Sequence, residues 1–85
     1  MDKMIFSQSG VFRLQQLASQ VHNITGIRHK LSDESDMLDM LRGCAGSDHQ
    51  TIQTYFAAFA GELDSDQVGK LLARGIRPRS YMQTH

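Results

Sequence analysis

Acidic residues and a glycine near the C-terminal end follow the spacing of part of a calcium-binding loop. Asp64, Asp66 and Gly69 match positions one, three and six of an EF-hand loop, where acids supply oxygen ligands and glycine allows a sharp turn. Val68 stands at position five and Gly75 at position twelve, and neither offers the required side-chain oxygen. The same acids are typical of the start of a helix, which we prefer as the interpretation.

Histidine and cysteine are the other residues that commonly bind metals or act as nucleophiles. His22, His29, His49 and His85 show no i, i+4 pair and no zinc-finger spacing. Cys44 is the only cysteine and lies on an apolar stripe, which favours a buried and unreactive thiol. A ligand pocket of ordinary size would also consume much of the core of so small a domain. We therefore predict no metal, no cofactor and no enzymatic activity.

Three aspartates at steps of three predict a carboxylate ridge on one side of a helix. These are Asp33, Asp36 and Asp39, and no feature of the pattern supplies the burial or the partner that would shift a catalytic pKa. We interpret the ridge as a docking face for another protein or for the basic C-terminal tail. Met37 and Met40 lie on or beside the apolar stripe of the same segment, where flexible thioethers suit partner binding as well as core packing.

Basic residues close to the C-terminus are candidates for contact with nucleic acid or with an acidic partner: Lys70, Arg74, Arg77 and Arg79. The predicted fourth helix, which carries Lys70 and Arg74, could form a helix-turn-helix with the predicted helix before it. However, Asp64 and Asp66 occupy the start of the second helix, which would face the bases, and phosphates repel them. DNA binding is therefore an alternative hypothesis.

The total charge of the 85-residue chain is zero, with nine basic and nine acidic residues. This balance argues against a surface that grips nucleic acid or anionic lipid through bulk charge. The distribution is uneven, with net charges of +3 over residues 1–30, −7 over residues 31–66 and +4 over residues 67–85. No apolar run approaches the ~20 residues of a membrane-spanning helix, and no secretory signal is recognisable, so we predict a cytoplasmic protein without a membrane contact.

The hydrophobic spacing is helical throughout and predicts four helices, at residues 9–25, 33–44, 48–62 and 65–74, followed by a mobile tail at residues 76–85. In the first helix the predicted apolar stripe comprises Val11, Leu14, Leu17, Ala18, Val21 and Ile24. We expect Ser32 to cap the second helix and Ser47 to form a capping box with Gln50 at the start of the third. The third helix carries three aromatic residues and is the predicted centre of the core.

These observations predict an all-α, single-domain fold, a small four-helix orthogonal or bundle arrangement with an extended basic C-terminal tail. Because a domain of this size buries little surface by itself, a second copy is an expected partner. We predict a small intracellular regulatory or adaptor module that binds another protein, as a homodimer. The alternatives are a helix-turn-helix DNA-binding regulator and an inhibitor that uses the acidic ridge.

Overall fold

A computed structural model of the chain describes residues 4–78. These residues form four helices and no strand: α1 (Gln8–Thr25), α2 (Glu34–Ala45), α3 (Gln50–Gly61) and α4 (Ser65–Ala73). The predicted all-α, four-helix fold is confirmed. The helix bounds differ from those expected from the sequence by no more than two residues at any end.

The core is centred on α3, which packs against both α1 and α2. Ile52, Phe56 and Phe59 recur at steps of four and three, so their side chains share one face of the helix, and all three are buried. Phe59 of α3 and Leu41 of α2 are fully buried. The third helix is therefore the hub that its aromatic content predicts.

The buried face of α1 is narrower than the predicted stripe. Gly10, Leu14 and Leu17 belong to the buried line of this helix, whereas Val11 is 40% exposed and Ile24 is 36% exposed. At 3.6 residues per turn, Val11 lies about a quarter turn away from the middle of the buried line. The inclusion of Val11 and Ile24 in the core stripe was thus wrong, and both add apolar surface to the exterior.

Two of the helix starts differ from the expected ones. Asp33, and not Ser32, caps α2, and His49 caps α3 by accepting a hydrogen bond from the backbone N–H of Thr51. Close to the second start, the side-chain amide of Gln53 donates to the carbonyl of Cys44 at the end of α2 and to the carbonyl of Ser47 in the α2–α3 link. These bonds, of 2.7 Å to Cys44 and 2.5 Å to Ser47, hold the link against the end of α2.

The capping box lies at α4 and not at α3. The Asp64 carboxylate accepts from the backbone N–H of Gln67 at 2.8 Å, and the Gln67 side chain accepts from the backbone N–H of Asp64 at 3.3 Å. Two otherwise unpaired backbone donors are satisfied in this way. The acids that resemble a calcium loop therefore start a helix, as the capping interpretation predicts.

Residues 4–7, here called the N-terminal strap, cross the starts of two helices. The backbone N–H of Met4 donates to Glu34 Oε1 at 2.7 Å, and the Gln67 side-chain amide donates to the backbone carbonyl of Ile5. Phe6 packs edge-on against Phe59, with 5.3 Å between the ring centroids. The strap thus covers α3 between the first turns of α2 and α4, a packing that the helical periodicity did not predict.

The packed chain continues past α4. Gly75 adopts a left-handed conformation with φ of 77°, and the backbone N–H of Ile76 donates to the carbonyl of Leu71 at 3.0 Å. This pattern is a Schellman motif, in which a hydrophobic residue after the glycine packs back onto the helix. Ile76 and Pro78 are buried, so the predicted mobile tail does not begin at residue 76. The remainder of the predicted tail, residues 79–85, lies outside the described residues.

Candidate functional site

The two methionines predicted to contact a partner are core residues. Met37 is 4% exposed and Met40 is 2% exposed. Both belong to the continuous hydrophobic core, because they lie on the face of α2 that packs against α3. Both side chains fill the core and neither forms an exposed surface on α2, whereas contact of either residue with a partner stays a prediction.

The three aspartates of the predicted ridge each make a local contact. Asp33 lies outside the helix and accepts from the backbone N–H of Asp36 at 3.2 Å. Asp36 accepts from the backbone N–H of Lys30 at 2.9 Å, and Asp39 forms an ion pair with Arg42 at 3.2 Å. One of the three carboxylates thus caps α2, one bonds the preceding linker, and the third forms an exposed ion pair with an adjacent cation. The docking role of these aspartates stays a prediction.

The basic residues at the C-terminal end have different surroundings. Lys70 forms an ion pair with Asp66 at 3.4 Å, and Arg74 donates to the backbone carbonyl of Lys70 at 2.9 Å. Arg77 is exposed, and Arg79 lies outside the described residues. Contact of these residues with nucleic acid or an acidic partner stays a prediction.

The groups that commonly bind metals are dispersed in the described structure. Within residues 4–78, no three side chains of histidine, cysteine, aspartate or glutamate come together in a manner that could hold a metal ion. Cys44 is buried, and its desolvation raises the pKa of the thiol to about 11. The thiol is therefore protonated at neutral pH and is a poor nucleophile, as expected for a residue on the apolar stripe.

An apolar cavity of about 290 Å³ opens where α1, α2 and the start of α3 meet. Its apolar lining comes from α1, the α1–α2 linker, α2 and α3, and comprises Val21, Ile27, Met40, Gly43, Cys44 and Ile52. Its polar lining consists of Thr25, His29, Asp39 and Ser47. The raised pKa of Cys44 is consistent with a wall that is poorly hydrated.

Gly43 enlarges this cavity at a cost in helix stability. It lies in the last turn of α2, and within a helix glycine is up to about 1 kcal/mol less favourable than alanine. A Cβ atom at this position would have no atom within 4 Å, so no close packing requires the glycine. The absence of a side chain leaves open space in the wall of the cavity.

A second hollow, of about 250 Å³, lies beside the first and has a different chemistry. His22, Arg28 and His29 line it together with Gln15, Ala18 and Ser19 of α1. His29 also lines the apolar cavity, so the two spaces share one wall. We call this second space the basic hollow.

The α1–α2 linker brings an apolar side chain to the rim of both spaces. Gly26 ends α1 with a left-handed φ of 78°, and Ile27 directly after it is 55% exposed although it lines the apolar cavity. Ile24, in the last turn of α1, adds a further exposed apolar side chain. The sequence contained two signals of this site that the periodicity did not use: an isoleucine after a helix-ending glycine and a glycine within the amphipathic helix α2.

Comparison with known protein families, with curated proteins and with solved structures found no match for this chain. Across residues 4–78, no helix combines the length and the apolar character needed to cross a membrane.

Proposed function

We propose that the protein is a small regulatory or adaptor module that binds another protein through the apolar cavity and its exposed rim. The observation that supports this proposal is the cavity itself, which is lined mainly by apolar side chains and bordered by the exposed Ile27. Apolar surface of this kind gains free energy when a partner removes it from water.

The volume of the cavity suits one large side chain of a partner. An apolar cavity of about 150 Å³ accepts benzene, and pockets for drug-sized molecules begin near 300 Å³. At about 290 Å³, the cavity has room for one aromatic or leucine side chain. An anchor of this size, buried in a pocket, is typical of the residues that dominate the affinity of protein interfaces.

The predicted homodimer is a separate prediction, because the cavity does not require that the partner be a second copy. Sedimentation of the purified chain at micromolar concentration tests it, and a strict monomer would contradict it.

The proposal is tested by differential capture from a lysate of the source organism with four immobilised proteins. These are the wild type, Ile27→Asp, Gly43→Met and Gly69→Met. Ile27→Asp places a charge on the rim, and Gly43→Met places a long side chain at the cavity wall. Gly69→Met is the matched control, because Gly69 lies within α4, also has open space around a Cβ, and does not line the cavity.

We expect the same proteins on the wild type and on Gly69→Met, and their loss from Ile27→Asp and Gly43→Met. Circular dichroism and urea unfolding establish that all four proteins are folded. Capture of one identical set by all four folded proteins, or of no protein above background by the wild type, contradicts the proposal.

A further inference from the structure

We propose that the partner segment is an acidic peptide that inserts one large apolar side chain into the apolar cavity and places a carboxylate in the basic hollow. This inference rests on the function proposed above and adds the chemistry of the partner. The juxtaposition of the two spaces across His29 is the observation from which it follows.

The two cations of the α1–α2 linker, Arg28 and Lys30, differ from three other cations of the described residues. Arg13, Arg42 and Lys70 each have a carboxylate within 4.0 Å. Arg28 and Lys30 are exposed, and within residues 4–78 neither side chain forms an ion pair. Two positive charges in the α1–α2 linker are therefore available to a carboxylate from outside.

Two carboxylates lie close to this region, and within residues 4–78 neither forms an ion pair with Arg28 or Lys30. Asp39 lines the apolar cavity, but its carboxylate is paired with Arg42. Asp36 accepts a hydrogen bond from the backbone N–H of Lys30, which holds the linker against the first turn of α2. An incoming carboxylate at Arg28 would meet a guanidinium that has no ion pair within residues 4–78, and this group can bind both carboxylate oxygens.

Because His29 lines both spaces, the apolar anchor and the carboxylate of the partner peptide must lie close together in its sequence. Side chains on one face of a peptide are i, i+2 neighbours in an extended strand and i, i+3 or i, i+4 neighbours in a helix. Because one residue, His29, separates the two spaces, the carboxylate should lie within four positions of the apolar anchor. A phosphate backbone would contact the cations but would leave the apolar cavity unfilled.

Selection of a random 12-residue peptide library, displayed on phage, against the immobilised full chain tests this inference without a known partner. We expect the enriched peptides to share a phenylalanine, leucine, methionine or tryptophan with an aspartate or glutamate within four positions. The same selection on Gly43→Met should lose this motif, whereas selection on Gly69→Met should keep it.

The strongest enriched peptide is then synthesised with a fluorescent label and titrated with charge variants of the protein. We expect Arg28→Glu to weaken binding by about tenfold or more, since one charge contact in such an interface contributes about 1.4 kcal/mol or more. Arg77→Glu is the matched control, because it makes the same change in net charge at an exposed residue that lines neither space. Binding to the wild type should also weaken as the salt concentration rises.

The outcomes separate this inference from the function on which it rests. Enriched peptides that need the open cavity but show no excess of acids overturn the acidic partner and leave the protein-binding proposal intact. Loss of affinity in Arg77→Glu but not in Arg28→Glu, or binding of duplex DNA that is lost in Arg28→Glu while no acidic motif is enriched, also overturns it. Failure to enrich any cavity-dependent peptide counts against both proposals.

Discussion

Two regions of this molecule differ in how far the chain covers their apolar side chains. Over α3 and the start of α4, the N-terminal strap places Phe6 edge-on against Phe59, and the Phe59 ring is fully buried. At the junction of α1 and α2, the linker turns outward at Gly26, which leaves Ile27 exposed and a cavity behind it. We call these the closed end and the open end.

The difference shows which apolar surface the fold uses and which it leaves available. The closed end is covered by the N-terminal strap, whose backbone forms hydrogen bonds with the side chains of Glu34 and Gln67. The open end has no such cover in residues 4–78, and it contains a glycine in the last turn of α2 that widens the space. The strap covers core residues at the closed end, although its own Ile5 is 75% exposed, whereas the open end leaves a cavity beside an exposed side chain and is the candidate for binding.

Truncation at the centre of the closed end should have the largest effect on stability. Phe59 is fully buried and contacts the rings of Phe6 and Phe56, so we expect Phe59→Ala to lower the free energy of unfolding by about 3–5 kcal/mol. For a domain of this size this is a large part of the total stability. Urea unfolding followed by circular dichroism measures the loss. Phe12→Ala, at a residue that is 55% exposed, is the control and should change stability by less than about 1 kcal/mol.

Titration at alkaline pH should reveal the desolvated wall of the open end. Burial raises the pKa of Cys44 from 9.0 to about 11, so between these values the unfolded chain loses the thiol proton while the folded chain keeps it. The folded state then binds more protons, and its stability falls as the pH rises from about 9 to about 11, by up to about 1.4 kcal/mol per pH unit. Cys44→Ala should remove this component of the slope. Equal slopes in the two proteins would mean that this wall is hydrated.

Loss of the α4 cap should weaken the closed end by a smaller amount. Asp64→Ala removes the acceptor for the backbone N–H of Gln67, the residue that also holds the strap, and should cost about 1 kcal/mol. Ser47→Ala is the comparison, because the sequence predicts a capping box at Ser47, whereas the structure shows its hydroxyl accepting from the backbone N–H of His49. Ser47→Ala should lower the free energy of unfolding by no more than about 0.5 kcal/mol. A larger loss for Ser47→Ala than for Asp64→Ala would support the capping box expected at α3.

The smallest expected change in stability comes from replacing helical glycines by alanine, and here peptide affinity, not stability, distinguishes the two sites. Gly43→Ala and Gly69→Ala should each raise the free energy of unfolding by about 0.5–1 kcal/mol, since both glycines lie inside helices and have space for a methyl group. Thermal unfolding compares them. Only Gly43→Ala should also weaken the peptide selected on the wild type; equal affinities for that peptide would separate Gly43 from the site.

The helices could be predicted from the sequence because local spacing determines them. Gly26 and Gly75 marked helix ends correctly, and the step pattern of Ile52, Phe56 and Phe59 indicated the buried face of α3. Contacts between residues distant in sequence could not be predicted in this way. The bond from Gln67 to Ile5 joins residues 62 positions apart, and no periodic pattern contains it.

The candidate site was harder to predict because its residues are ordinary ones. Charge density attracted attention to Asp33 and its neighbours, yet the structure engages these acids locally. Ile27 and Gly43 carry no chemical signal by themselves, and their significance arises only when α1, α2 and α3 meet around a common space. A cavity is a product of packing, which single-sequence patterns do not encode.

Amide chemical-shift mapping of the isotopically labelled chain, titrated with the strongest selected peptide, tests most directly whether the open end is the binding surface. We expect the largest shifts on Ile27, His29, Gly43 and Ile52, which line the apolar cavity, and unchanged amides for Phe6 and Gln67 at the closed end. Shifts centred on the N-terminal strap and α4, with the amides around the cavity unchanged, would contradict this expectation.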